Sequence, residues 1–200
     1  MVFRRKVLHS QSGQGIIELG LALPLLLLLS LGAIELSNMI STYLTLTHLT
    51  REGANLTSRG DGTSGDITAS LDAIITASKP ALCSDGIGCT QNLGQWTVIY
   101  SQIVPDPTNN PNLYQIKRDG ADWVRGSLGQ TSKIGSDGNT VNWAEFGIDP
   151  ASVTLTAGQT FHVVEVFYDY GPSKLTPIDN LTGNLLPELF YDRTIFRDVT

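Results

Sequence analysis

Residues 13–35 decide the architecture: Gly13-Gln14-Gly15-Ile16-Ile17-Glu18-Leu19-Gly20-Leu21-Ala22-Leu23-Pro24-Leu25-Leu26-Leu27-Leu28-Leu29-Ser30-Leu31-Gly32-Ala33-Ile34-Glu35. Nothing between Leu19 and Ile34 carries a charge. Gln14 to Ile34 is 21 residues, roughly 31 Å of helix at ~1.5 Å per residue, close to the thickness of a bilayer core. Upstream lie Arg4, Arg5 and Lys6, and the next Lys or Arg is Arg51. That asymmetry places the N-terminus in the cytoplasm and the remainder outside, in the periplasm or beyond the cell. Glu35 is then expected at the outer interface. Pro24 removes one backbone donor inside the span, which membrane helices tolerate with a kink.

Glu18 is the anomaly. A leader followed by an apolar core needs no carboxylate at its entrance. An acid at the bilayer centre costs roughly 2.5–3.5 kcal/mol, and less near the interface. A chain cut after Gly13 would make Gln14 residue one and Glu18 residue five, the arrangement of a type IV-like prepilin. The candidate processing residues are therefore Gly13, Gln14 and Glu18, with Glu18 and Pro24 as assembly residues. Two rivals occupy the same stretch. One is a plain signal anchor. The other is release by a general signal peptidase reading Ser30-Leu31-Gly32, with Ala33 as the new terminus.

The rest of the chain suits one compact unit. Its 200 residues carry a net charge of −6, and removing the three cations of residues 1–13 leaves −9. Such acidity argues against a nucleic-acid partner. Cys83 and Cys89 are the only cysteines. Outside the cytoplasm they are expected to close a small disulfide loop, with two buried thiols as the other reading. Leu36, Met39, Ile40, Tyr43 and Leu44 have helical spacing, so the first helix is expected to run past the membrane through 36–59. The Gly60–Gly65 stretch ends it. Asp66 is expected to cap a short second helix over Ile67–Ser78. Gln95–Val104, Leu113–Lys117 and Phe161–Tyr170 read as strands. Residues 119–150 read as loops, and Pro172, Pro177 and Pro187 break up the C-terminal stretch. The expected fold is α+β: a basic leader (1–13), a transmembrane helix (14–35), its extension (36–59) and an extracytoplasmic head (60–200) with an antiparallel sheet.

At three places the chain resembles the TadE-like family of tight-adherence (Tad/Flp) pilus proteins, which are pseudopilins. Gln14–Leu29 is similar to the family's E-F-A-L-V-L-P-L-L-L-L-L signature. Arg51-Glu52-Gly53-Ala54 is similar to the A-R-E-G-A that ends its long helix, with Thr50 in place of the small residue. Val164–Tyr170 with Pro172 and Pro177 is similar to its last strand and proline-bearing exit. The resemblance implies an inner-membrane protein cut by a prepilin peptidase. It would act with other pilin or pseudopilin subunits and the Tad platform proteins, and without a cofactor. Glu18 would pair with the freed amine of Gln14 on a neighbouring subunit, and Leu21–Leu31 would pack against other helices.

Other motifs point elsewhere. Gly135–Phe146 has a partial EF-hand pattern, with Asp137, Asn139 and Glu145 near ligand positions. The first aspartate is replaced by Gly135 and the central glycine is missing, so these residues are weak calcium candidates. A turn-rich loop with Trp143 and Phe146 packed inward is the simpler reading. His9, His48 and His162 are isolated, and no serine has a G-x-S-x-G context, so no enzyme is expected. The alternative function is a signal-anchored or secreted surface-binding module, an adhesin or calcium-binding head.

Overall fold

The computed structural model describes residues 13–60, 63–78, 93–105, 114–118, 123–147, 159–173 and 187–197. Helix α1 runs unbroken over Gln14–Thr57, 44 residues, straight through Pro24. Helix α2 covers Ser64–Ala77. Five strands come after it: β1 (Trp96–Pro105), β2 (Tyr114–Lys117), β3 (Val124–Gly126), β4 (Phe161–Asp169) and β5 (Leu189–Arg197). The result is a long N-terminal apolar helix followed by a small antiparallel sheet, the expected α+β arrangement.

The sheet order is β2-β1-β4-β5, with β3 beside β2 along the same edge of β1. The two central strands pair antiparallel from Trp96↔Tyr168 to Ile103↔Phe161. Both are covered on both faces, so they read as nearly continuous apolar runs. One face (Trp96, Val98, Tyr100, Val164, Val166, Tyr168) forms a core with Leu46, Leu49 and Ala54 of α1 and Ile67, Leu71, Ile74 and Ile75 of α2. The α2 residues recur at i, i+4, i+7 and i+8, the spacing of one buried helical stripe. Burying each such side chain contributes about 1.5–3 kcal/mol.

The opposite face is covered by the 127–147 segment. Ile134 and Val141 join Ile103, Tyr114, Ile116 and Val163 in a second core, with Trp143 and Phe146 packed against it as expected. A buried polar network fastens this strap. Glu165, fully buried in the middle of β4, accepts hydrogen bonds from Ser132 Oγ, Lys133 N (3.0 Å) and Tyr191 Oη (2.9 Å). Arg118 donates to Ser132 Oγ (2.6 Å), Gly135 O (2.9 Å) and Ser101 Oγ (2.7 Å). Burial lowers the Arg118 pKa, and the Glu165 and Asp137 carboxylates act against that shift. With these donors in place, a carboxylate in the sheet interior keeps its hydrogen bonds.

These expectations need correction. The 119–150 stretch, read as loops, contains strand β3, whose Val124–Gly126 pairs with β1. The α2 cap is Thr63 and not Asp66: the Thr63 side chain accepts from Asp66 N (3.4 Å), and the helix starts at Ser64, three residues before the expected Ile67. The β4 strand is not the last, because β5 pairs along its whole length from Phe161↔Arg197 to Asp169↔Leu189. The head covers Glu35, a burial that the sequence does not signal. Glu35 is only 2 % exposed, buried where the head meets α1.

Candidate functional site

The head grips only the upper half of α1. Leu46, Leu49, Thr50, Gly53, Ala54 and Thr57 are buried against it. Gly53 allows the closest approach, since a Cβ there would lie 3.0 Å from Ile74 Cδ1 and 3.3 Å from a Val164 methyl. Ala54 is fully buried while Arg51 and Glu52 are exposed. The R-E-G-A stretch is thus a packing motif: its small residues face the sheet and its charges face outward. Thr50 is buried too, donating to Asp192 Oδ2 (2.6 Å) and accepting from Thr194 Oγ1 (3.1 Å) of β5.

Below Glu35 the helix is bare. Ile16, Ile17, Leu19, Leu21, Leu23 and Leu25–Leu29 are all large, apolar and exposed. An apolar surface this long does not stay in water. Among the described residues α1 is the one helix long and apolar enough to cross a membrane, and the window that qualifies it is not buried by the head at all. Ser30 donates its hydroxyl to Leu26 O (2.8 Å), so it adds no unsatisfied donor to this surface.

Glu18 stands on the first turns of this bare segment. Gln14 Nε2 donates to its Oε1 at 3.1 Å, one helical turn apart. Gly13 makes no side-chain cap at the helix start. Glu18 lies just beyond the first turn, and its carboxylate is met there by the Gln14 side chain. Gly13, Gln14 and Glu18 are brought together at the start of one helix. Pro24 lies further along the same rod, within the apolar section.

The remaining candidates separate. Asp137 Oδ1 accepts from Arg118 N (2.7 Å), Asn139 O accepts from Ile116 N (2.9 Å), and Glu145 faces Arg193 at 3.8 Å. Among the described residues no group of three or more His, Cys, Asp or Glu side chains could hold a metal ion. The loop is a turn joined to the end of β2. His162 is buried, with Tyr100 Oη 2.7 Å from its Nδ1. Cys83 and Cys89 lie outside the described residues. The contacts of Thr50 with β5 and the burial of Glu35 were not foreseen. The β5 partners of Thr50 lie 142 and 144 positions away, so no local signal marks them.

The fold and the bare helix define a class: an α+β head carried on one N-terminal helix of membrane-spanning length. Within that class the N-terminal segment is TadE-like, since the family model described as TadE-like protein matches residues 13–55. This covers less than half of the chain, and it ends where Gly53 and Ala54 dock onto the sheet. No curated protein and no solved structure matches the chain.

Proposed function

We propose that the chain is a membrane-anchored, pilin-like (pseudopilin) subunit needed to assemble a tight-adherence, type IV-like pilus. It works by helix-to-helix assembly and not by catalysis. One observation carries the reading. The TadE-like match falls on a helix whose lower half has no partner among the described residues of the chain's own head and carries Glu18 five positions beyond Gly13. Cleavage by a prepilin peptidase after Gly13 would place a free amine one turn from Glu18. In a low-dielectric bundle, the Glu18 carboxylate selects the register in which a neighbour's amine meets it. The head stays outside the inner membrane, and the partners are other pilin-like subunits and the Tad platform.

The test pairs a variant with a terminus. Glu18→Ala removes an exposed side chain, so the head's thermal unfolding should not change. Piliation and surface adhesion should fall at least tenfold. The mature N-terminus, read by mass spectrometry of membrane fractions, should be Gln14. Normal piliation by the variant would refute the role given to Glu18. A soluble product starting at Ala33 would refute the anchor.

A further inference from the structure

The lowest contact between head and helix coincides with the upper end of the bare segment. Glu35 is buried there, and the Tyr170 hydroxyl stands against its carboxylate. Burial first, and then the neighbouring Glu35, push the Tyr170 phenol well above its ordinary range. Tyr170 is itself fixed to the rim of the head. Its N–H donates to Glu188 O (2.7 Å), and its ring lies 5.3 Å from that of Phe190, which in turn meets Tyr43 of α1 at 6.1 Å. The next turn, Gly171–Ser173, is pinned by Asp169 Oδ1 accepting from Gly171 N (2.9 Å). This rim leaves Pro172 and Leu189 exposed, as Leu36 of the helix is.

We propose that this rim is a seat on the bilayer surface, with the lipid glycerol and headgroup layer as its partner. The inference rests on reading 14–34 as the membrane span. If those 21 residues fill the hydrocarbon core, which is roughly 30 Å thick, Glu35 lies at the core's outer boundary. Everything packed at the level of Glu35 then lies there too. Tyr170 and Glu35 are both buried at this level, so the carboxylate is shielded at the depth where lipid would otherwise reach it. Pro172 and Leu189 are the exposed apolar side chains that flank Tyr170 and Phe190 in sequence on the described part of the rim. The charged side chains on the described part of this rim are Asp169 and Glu188, both acidic, so these residues supply no attraction for anionic lipid. The head is held against the membrane by apolar contact at a fixed depth and does not swing on a tether.

The test is photo-crosslinking of the full-length chain in phosphatidylcholine vesicles. These are doped with a lipid whose diazirine sits next to the glycerol, and adducts are mapped by peptide mass spectrometry. The expected result is labelling of Leu36 together with Pro172 and Leu189 at comparable yields. Phe196, exposed at the far end of β5, should carry none. Yields at Pro172 and Leu189 should not change in high salt. Labelling confined to residues 14–36, or lost from the rim in high salt, overturns the seat and leaves the anchor intact. A chain that does not enter the vesicle fraction and takes no label at 14–36 overturns the anchor reading itself.

Discussion

Thr50 shows how one residue ties the two halves of the molecule together. It lies fully buried between helix and sheet, where a hydroxyl is tolerated only if its hydrogen bonds are made. They are made to Asp192 and Thr194 of β5. Read as sequence, Thr50 is a departure from a small residue in a helix-ending motif. In the fold it is half of a matched pair whose other half arrives 142 positions later. Thr50→Val keeps the shape and removes the donor, leaving the Asp192 carboxylate facing an apolar methyl. We expect a loss of about 1–3 kcal/mol from the unsatisfied partner, measured by urea denaturation in detergent. Thr50→Ser retains the hydroxyl and should lose less than half as much. A loss in Thr50→Ser with none in Thr50→Val would show that the methyl, and not the hydroxyl, holds the junction.

At the scale of elements, legibility in the sequence followed local pattern. Helix α1 and strands β1 and β4 carry their burial in their own composition. Strand β5 does not. Phe190, Asp192, Thr194 and Phe196 face the helix side, and Tyr191, Arg193, Ile195 and Arg197 face the strap. Each face therefore mixes apolar and polar residues. The polar ones answer to distant partners: Asp192 to Thr50, Arg193 to Glu145. Periodicity has nothing to detect in such a strand. Its mates are equally hidden. Glu165 looks like an interruption of the apolar β4 run, yet it gathers Ser132, Lys133 and Tyr191 around one carboxylate.

That cluster makes stability depend on pH at the alkaline end. Burial, reinforced by Glu165, raises the Tyr191 pKa above its ordinary value of 10.0. The native state therefore holds this proton after the unfolded chain has released it. The stabilisation is complete below pH 10.0 and is lost as pH rises through the higher folded pKa. Tyr170 acts in the same direction. Tyr191→Phe should cost about 1.5–3 kcal/mol at neutral pH, the worth of a hydrogen bond to a charged acceptor. Its Tm should also fall less steeply than the parent's between mildly and strongly alkaline buffer. Parallel Tm–pH curves for the two proteins would exclude Tyr191 as the titrating group.

Across the whole molecule, the division of labour falls at Glu35. The earliest buried residue along α1 is Glu35 itself, and the core side chains begin at Leu46. Residues 14–34 add no side chain to either core, although they carry the longest apolar run in the chain. The sequence announces this run by composition alone. Where the head lets go of the helix is set by tertiary contact: Tyr170 at Glu35, Phe190 at Tyr43, and Val164 near Gly53. A chain beginning at Glu35 should therefore keep both cores, the Glu165 network and the Thr50 junction. It should be soluble without detergent and unfold cooperatively, with a urea midpoint close to that of the full chain in mild detergent. The full chain should need lipid or detergent to stay dispersed, because its exposed leucines would otherwise associate. A truncated chain that fails to fold would mean that the span props up the head, and the anchor and the head could not be treated as separate working parts. Cooperative unfolding with an unchanged midpoint would mean that residues 14–34 are free to engage only the membrane and neighbouring helices, as assembly through Glu18 demands.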